Sequence, residues 1–225
     1  TTATAIRFFA KARTGSGGAV LGDCPFTHKA LLVMCAKGIE HERVLIDLDN
    51  KPDWFVALTG GKGSTPALEY VAGDEKRVLV DSDAIVDFAL EHKAEPAIDA
   101  GDDATRAIAS GLFGAFARFV RNKDGEAEPG LRAALESELQ ALNDSLFATE
   151  SKGPFLGGAP TPTAADFAMG PKLYHVQVAA AHFKAFDMSP FDRVATYLER
   201  MKQLECWKQC EYTPEAIVDG WAKHM

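Results

Sequence analysis

The chain has 225 residues, of which 47% are hydrophobic and 25% are charged, and its formal net charge is −8. This composition is typical of a globular protein with one large domain or two small ones. The acidic charge and the lack of a dense Lys/Arg tract argue against nucleic acid or a membrane surface as a partner, and no apolar run approaches the ~20 residues that span a bilayer.

The first part of the chain predicts a β-α-β-α-β-β-α unit. Its strands are short and rich in β-branched and aromatic residues, and its helices have apolar residues spaced by three and four. A helix between the first two strands implies that they pair in parallel, and the tight connection between the last two implies a hairpin. The predicted strands are residues 6–12, 43–48, 67–71 and 77–80, and the predicted helices are 25–37, 52–58 and 83–92.

Cys24 stands directly before Pro25, where the first of these helices begins. Proline is favoured at the first position of a helix, because its missing N–H would have no partner there. The sulfur of Cys24 therefore faces unpaired backbone N–H groups and the positive end of the helix dipole, which favour a thiolate. The alternative is a buried apolar cysteine. The neighbouring Gly22, Asp23 and Pro25 favour the reactive thiolate.

After a polar linker at 93–102 the pattern becomes entirely helical. Thr163 to Asp166 has the form of a capping box, in which a threonine and an acidic residue three positions later satisfy each other's backbone N–H groups. The chain is therefore predicted to have an α/β domain at 1–93 and an all-helical domain at 103–225. The predicted helices of the second domain are 103–122, 130–149, 163–184, 190–204 and 214–223.

The four cysteines do not indicate a disulfide framework or a metal site. A chain of this length needs more disulfides to define a framework, no Cys-x-x-Cys occurs, and the histidines are scattered. We expect no metal ligands and a reducing compartment. Cys35 is predicted to lie in the core, and Cys206 and Cys210 are predicted to pack around Trp207. His28 is predicted to be an exposed helix residue.

Several motifs occur together in this chain. They are LGDCPF (21–26), NKPDWF (50–55), TPAL (65–68), DSDAIV (81–86), GPFLGG (153–158), TAADFAMGPKLYHVQVA (163–179) and HFKAF (182–186). The first domain, with Cys-Pro at the start of its first helix, resembles the thioredoxin superfamily, and the appended helical domain extends the resemblance to the glutathione transferase fold. Within that fold the chain is similar to the plant-type dehydroascorbate reductases, over nearly its whole length.

The resemblance implies that Cys24 is the nucleophile of a ping-pong cycle that reduces dehydroascorbate to ascorbate. Glutathione is then a co-substrate, and no cofactor is bound permanently. Thr27 stands where a dithiol glutaredoxin has its second cysteine, so Cys24 has no local resolving thiol. A small thiol from solution must resolve it.

The resemblance also implies which residues bind glutathione. Thr65, before Pro66, would offer its backbone to the cysteinyl part of the tripeptide, as a strand does at a sheet edge. Asp81 would accept from the γ-glutamyl ammonium, Ser82 and the helix N-terminus would bind the γ-glutamyl carboxylate, and Lys51 would meet the glycyl carboxylate. Each residue also has a structural alternative, because Ser82 is a helix cap, Asp81 can assist that cap and Lys51 can be plain surface.

For dehydroascorbate, the resemblance points to Lys11 and Asp23. Lys11 would bind the polar substrate and favour the thiolate, and Asp23 would hydrogen-bond the substrate and shuttle a proton. The glycine-rich loop at 15–18 is longer than the family pattern, so Lys11 as a solvated residue at a strand end is the alternative. Ser64 also stands where relatives often have lysine.

Two other functions are compatible with the same fold. One is an omega-like thioltransferase that acts on protein–glutathione mixed disulfides. The other is a membrane-inserting relative of the chloride intracellular channels, although His28, Lys29 and Lys37 interrupt the first helix. We expect a monomer that works in the cytosol or a plastid, without stable membrane association.

Overall fold

The computed structural model describes residues 3–225. Four strands form one sheet in the order β2-β1-β3-β4 within this part of the chain. The pairing of β1 with β2 is parallel, and β3 pairs with both β1 and β4 in antiparallel fashion, which confirms the predicted crossover and hairpin. The strands are β1 (Thr4–Lys11), β2 (Glu42–Ile46), β3 (Ala67–Ala72) and β4 (Glu75–Leu79).

Three helices accompany this sheet, and they match the predicted order. They are α1 (Pro25–Ala36), α2 (Asp53–Leu58) and α3 (Ser82–His92). Phe9, Ile46, Phe55 and Ala67 form a buried cluster that joins β1, β2 and β3 to α2, while α1 packs against α3. The second strand is shorter than predicted, because it stops at Ile46 and the chain then turns.

The remaining helices follow the linker. They are α4 (Asp103–Ala107), α5 (Leu112–Arg121), α6 (Glu128–Thr149), α7 (Ala164–His175), α8 (Ala181–Lys184), α9 (Asp192–Gln203), α10 (Glu205–Lys208) and α11 (Pro214–Ala222). None of the helices in the described residues is both long and apolar enough to cross a membrane.

The predicted helix over 103–122 is wrong, because the chain leaves the helical conformation between α4 and α5. Ile108 is non-helical, with φ −59° and ψ 124°, and Ala109 is left-handed, with φ +49°, so the ladder of backbone hydrogen bonds cannot continue. The break lies beside Gly111, a weak helix former. A side chain at 111 would overlap the carboxylate of Glu138 on α6, which would have to move to make room.

The predicted helix over 163–184 is also interrupted. A π-helical turn at Val176–Ala180 separates α7 from α8. The capping box at its start is confirmed, because Thr163 and Asp166 exchange side-chain and backbone hydrogen bonds.

The chain divides into two compact units. One consists of residues up to Ile98 together with Glu205–Gly220, and the other of Asp99–Leu204 with Trp221–Met225. The segment Glu205–Gly220 therefore packs with the first unit, although the sequence assigns it to the helical domain. The division into domains at 1–93 and 103–225 stays a prediction.

The same segment explains why the prediction of an exposed His28 is wrong. His28 is only 1% exposed, because Trp207 and Tyr212 cover it with ring centroids 4.4 Å and 4.9 Å away. Trp207 itself is buried as α10 packs against α1. The periodicity of α1 does not reveal this contact, since the covering rings come from a distant part of the sequence.

A buried carboxylate organises the second unit. Asp166 is fully buried and accepts hydrogen bonds from Thr163 N and Oγ1 (2.8 and 2.7 Å), Leu156 N (2.9 Å) and the Tyr197 hydroxyl (2.8 Å). Burial and the neighbouring carboxylate raise the pKa of Tyr197 well above its usual value, so its hydroxyl remains a donor. Four donors replace the water that the carboxylate loses.

Replacing this carboxylate tests its structural role. We expect Asp166→Ala to lower the free energy of unfolding by about 3–5 kcal/mol, because four buried donors lose their acceptor. Urea denaturation followed by circular dichroism measures the change. Asp103→Ala is the control, since the Asp103 side chain is exposed and should leave stability close to that of the wild type. Equal losses in the two variants would contradict the assignment.

Candidate active site

Cys24 is the N-cap of α1, as predicted. Its backbone is extended, with φ −82° and ψ 114°, and Pro25 follows it at the start of the helix. The backbone N–H of Thr27 donates to Cys24 Sγ at 3.4 Å. Cys24 is half-buried, and its sulfur faces the N-terminus of a twelve-residue helix.

Lys11 and Asp23 form an ion pair beside this cysteine. Lys11 ends β1, Asp23 immediately precedes Cys24, and the Lys11 ammonium bonds Asp23 Oδ1. Their side chains are only 14% and 5% exposed. The alternative of a solvated Lys11 is therefore wrong, and the pair is a largely desolvated charged group at the start of α1.

The longer glycine loop does not displace Lys11. The chain leaves β1 and returns beside it, since Ala12 bridges to Leu21 and Gly22 N donates to the Lys11 carbonyl at 2.7 Å. A side chain at Gly22 would overlap the Ala12 backbone, so this close approach requires glycine. The additional residues of the glycine-rich loop at 15–18 therefore form a loop that returns to the end of β1 before Asp23.

Gly220 completes the surroundings of Asp23, and the sequence analysis missed it. The glycine is buried on α11, and any side chain there would overlap both carboxylate oxygens of Asp23. The preceding residue, Asp219, accepts from Arg13 Nε at 2.8 Å. This part of α11 thus packs against the Asp23 side chain, a contact between residues at opposite ends of the sequence.

Thr65 and Pro66 lie at the same edge of the sheet as Lys11. Phe9 of β1 pairs with Ala67 of β3, so the antiparallel register brings the residues before Ala67 alongside the end of β1. The peptide bond between Thr65 and Pro66 is cis. The Thr65 hydroxyl oxygen is buried and has no hydrogen-bond partner among residues 3–225.

Asp81 and Ser82 lie at the start of α3, beside the start of α1. The ion pair between Lys29 and Asp83 joins the second turn of α1 to the first turn of α3. Asp81 Oδ1 accepts from Asp83 N at 2.7 Å, which makes Asp81 the N-cap. The prediction that Ser82 caps this helix is wrong, because Ser82 is its first residue and is buried.

Lys51 is exposed just before α2 and lies over the loop that leads to Thr65. A Cβ built on Gly63 would be 3.2 Å from Lys51 Cδ and 3.7 Å from its Nζ. A buried hydrogen bond fixes this loop, because Gly63 N donates to the Thr59 hydroxyl at 2.8 Å. Lys51 therefore places a positive charge beside the loop at 60–64.

These contacts bring the predicted site residues to one edge of the first unit. Lys11 and Asp23 form one group with the start of α1, the register of β3 places Thr65 beside them, and the first turn of α3 is ion-paired to the second turn of α1. The described residues contain no cluster of His, Cys, Asp or Glu that could hold a metal ion. The arrangement is a thiol at a helix N-terminus beside a buried ion pair, with hydrogen-bonding groups from two further elements.

Two family models match this chain. Residues 23–92 match the family model "Glutathione S-transferase, N-terminal domain", and residues 102–200 match "Glutathione S-transferase, C-terminal domain". A rice protein named probable glutathione S-transferase DHAR1, cytosolic, is 34% identical over 203 residues, which is 90% of each chain. Arabidopsis glutathione S-transferase DHAR3, chloroplastic, is 34% identical over 89% of this chain and 74% of its own.

A solved structure agrees with these sequence matches. The crystal structure of Chlamydomonas reinhardtii dehydroascorbate reductase has a TM-score of 0.85, is 31% identical and is covered over 99% of both chains. Mouse glutathione S-transferase omega-1 is 35% identical, but over 66% of this chain and 61% of its own.

Gly220 offers a direct test of the packing around Asp23. We expect Gly220→Ala to lower the free energy of unfolding by about 1–3 kcal/mol, because the methyl group overlaps the Asp23 carboxylate in a packed site. The matched control is Gly130→Ala in α6, where the space around the glycine is open. This substitution should raise stability by up to about 1 kcal/mol through helix propensity. A gain in both variants would show that α11 does not confine Asp23.

Proposed function

The chain belongs to the glutathione S-transferase family, and within it to the dehydroascorbate reductases, and we propose that it reduces dehydroascorbate to ascorbate with glutathione as the reductant. One observation carries the proposal. An accessible cysteine caps α1, and the residue before it forms a nearly buried ion pair with Lys11. Glutathione is a substrate here, and the cycle requires no bound cofactor.

In the first half of the cycle, the Cys24 thiolate attacks a carbonyl carbon of dehydroascorbate and forms a thiohemiketal. A glutathione thiolate then attacks the Cys24 sulfur, and the carbon–sulfur bond breaks. The electron pair of that bond passes to the substrate, which takes up a proton and leaves as ascorbate. Cys24 remains as a mixed disulfide with glutathione.

In the second half, another glutathione thiolate attacks the glutathionyl sulfur of this mixed disulfide. The sulfur–sulfur bond breaks, glutathione disulfide leaves and the Cys24 thiolate is regenerated. The N-terminus of α1 favours this leaving group, since its N–H groups and dipole stabilise the negative sulfur. Thr27 is buried one turn into α1 and supplies no thiol, so glutathione must resolve the mixed disulfide.

Lys11 and Asp23 act on dehydroascorbate. The Lys11 ammonium polarises a substrate oxygen and stabilises the negative charge that develops on it when the thiolate adds. Asp23 holds Lys11 in position, hydrogen-bonds the substrate and relays the proton that ascorbate takes up. Because both side chains are largely removed from water, their fields act strongly on a substrate beside Cys24.

The remaining predicted residues bind glutathione. Thr65, held before Pro66, pairs through its backbone with the cysteinyl residue of glutathione as an added strand would. Asp81 receives the γ-glutamyl ammonium, while Ser82 and the first N–H groups of α3 receive the γ-glutamyl carboxylate. Lys51 attracts the glycyl carboxylate from its exposed position beside the loop at 60–64.

The setting of this activity follows the relatives. The rice relative is named as cytosolic and the Arabidopsis relative as chloroplastic. We propose that this chain works in a reducing compartment of one of these kinds, because its cycle needs free thiols. We also propose that it is a monomer, as the resemblance to the dehydroascorbate reductases implies.

A thioltransferase is the second candidate. The match to mouse omega-1 favours it, and so does the monothiol site, which serves a protein–glutathione mixed disulfide as readily as dehydroascorbate. The candidates differ in the need for Lys11 and Asp23, which the carbonyl substrate uses and a disulfide substrate does not. Turnover of dehydroascorbate and of a glutathionylated peptide by the same preparation separates them.

Replacing the nucleophile tests the reaction. We expect Cys24→Ser to lower the rate of ascorbate formation from dehydroascorbate and glutathione by ~10³-fold or more. Cys206→Ser is the matched control and should keep nearly full activity, because Cys206 lies outside the site. Wild-type initial rates with both substrates varied should give parallel double-reciprocal lines. Substantial turnover by Cys24→Ser, or intersecting lines, would refute the cycle.

The ion pair is tested separately. We expect Asp23→Asn to lower kcat/KM for dehydroascorbate by about 10²-fold, since the proton relay and the orientation of Lys11 are lost. Deglutathionylation of a peptide by the same variant should change much less. Asp219→Asn is the control, because Asp219 also pairs with a cation in this unit but its side chain is 41% exposed. Equal losses for both substrates would contradict a role specific to the carbonyl substrate.

A further inference from the structure

Three cysteines outside the site come together in the first unit. Cys35 lies in the last turn of α1, Cys206 lies in α10, and Cys210 follows α10. The thiols of Cys35 and Cys210 lie close enough to interact, and the Cys210 thiol donates to the Cys206 carbonyl oxygen at 2.9 Å. The packing of α10 against α1 produces this cluster.

The three thiols have different environments. The hydrogen bond from Cys210 and the charge of Arg43 outweigh burial and lower the pKa of Cys35 to about 7. Burial and the nearby Cys35 raise the pKa of Cys206 to about 11. The hydrogen bond to Cys35, together with burial, raises the pKa of Cys210 well above its usual value. At neutral pH the cluster therefore combines one thiol that readily ionises with two that stay protonated.

Cys35, the thiol that ionises most readily, is also more accessible to solvent than Cys210. Cys35 lines a shallow surface depression of about 600 Å³, together with His41, Arg43 and Gln209. Arg43 is held across it, since its Nη2 donates to the Gln209 carbonyl oxygen at 3.5 Å. Cys210 is only 1% exposed. A small oxidant can therefore reach Cys35, while Cys210 is buried next to Cys35.

We propose that Cys35 and Cys210 are a redox-active thiol pair, separate from Cys24, which hydrogen peroxide oxidises to a disulfide. This inference does not depend on the proposed function, because neither the pair nor its oxidant takes part in that cycle. Cys35 is the attacking thiol and Cys210 the resolving thiol. The cysteines of the cluster thus form a modification site.

The oxidation proceeds in two balanced steps. The Cys35 thiolate attacks one oxygen of hydrogen peroxide, the O–O bond breaks, and Cys35 becomes a sulfenic acid while the leaving hydroxide takes a proton to form water. The Cys210 sulfur then attacks the Cys35 sulfur, the S–O bond breaks, and the leaving hydroxide takes the Cys210 proton as a second water. The pair loses two electrons, and the peroxide gains them.

The link would join α1 covalently to the segment Glu205–Gly220. That segment also contains Asp219, which pairs with Arg13, and Gly220, which packs against Asp23. Oxidation of the pair would therefore attach the segment that packs against Asp23 covalently to α1, the helix that begins at Cys24. Reduced glutathione would release the link through thiol–disulfide exchange.

Peptide mapping tests the proposal in the full chain. The Cys24→Ser variant is treated with stoichiometric hydrogen peroxide, its free thiols are blocked with N-ethylmaleimide, and it is digested with trypsin without reduction. Trypsin separates all three remaining cysteines, because Lys208 lies between Cys206 and Cys210. We expect peptide 30–37 linked to peptide 209–223 in most of the protein, with Cys206 alkylated, and we expect dithiothreitol to abolish the link.

Two further variants in the same background distinguish the roles of the thiols. In Cys210→Ala, Cys35 should accumulate as a sulfenic acid that dimedone traps, since its resolving thiol is missing. In Cys206→Ala, the matched control from the same segment, the link between 30–37 and 209–223 should form as before. A link from Cys206 to either other cysteine, or recovery of both Cys35 and Cys210 as alkylated thiols after peroxide, would overturn the proposal.

Discussion

The ion pair between Lys11 and Asp23 joins the end of β1 to the start of α1, and the geometry around Cys24 depends on it. A lysine and an aspartate removed from water are each costly, and together they are tolerated because each satisfies the other. The pair holds the carboxylate beside the cysteine that begins the helix. Gly22 allows the chain to pass close to Ala12, and Gly220 leaves room for the carboxylate. The charge pair, two glycines and a helix N-cap thus form one local arrangement.

The segment Glu205–Gly220 has a larger part in the first unit than its position in the chain suggests. Trp207 and Tyr212 cover His28 in α1, Cys206 and Cys210 reach Cys35 on the same helix, and Gly220 borders Asp23. The helix that begins at Cys24 is therefore covered by residues that follow α9.

The two ends of α1 show how the same side chain acquires different chemistry. At the N-terminus, the sulfur of Cys24 accepts a backbone N–H and lies at the positive end of the helix dipole. At the C-terminus, the interaction of Cys35 with Cys210 and the charge of Arg43 outweigh the effect of burial and lower its pKa to about 7. The surroundings of Cys24 come from its own helix. Those of Cys35 combine α1, Arg43 of β2 and Cys210 of the segment Glu205–Gly220.

Local interactions were predictable from the sequence. The N-cap at Cys24, the β3–β4 hairpin and the capping box of Thr163 and Asp166 each depend on residues within a few positions of one another. The motifs also identified the family, because whole stretches such as LGDCPF are read in order along the chain.

Tertiary structure decided the rest. Whether Lys11 is solvated, whether His28 is exposed, what lies against Asp23 and which thiol meets Cys35 all depend on residues far apart in the chain. Asp81 rather than Ser82 caps α3, and the helix breaks at Ala109, because of the backbone angles at these positions. Residue types alone do not determine those angles. Periodicity reports which face of a helix is apolar, but it does not say which distant side chain will cover that face, and burial and charge at this site follow from those distant contacts.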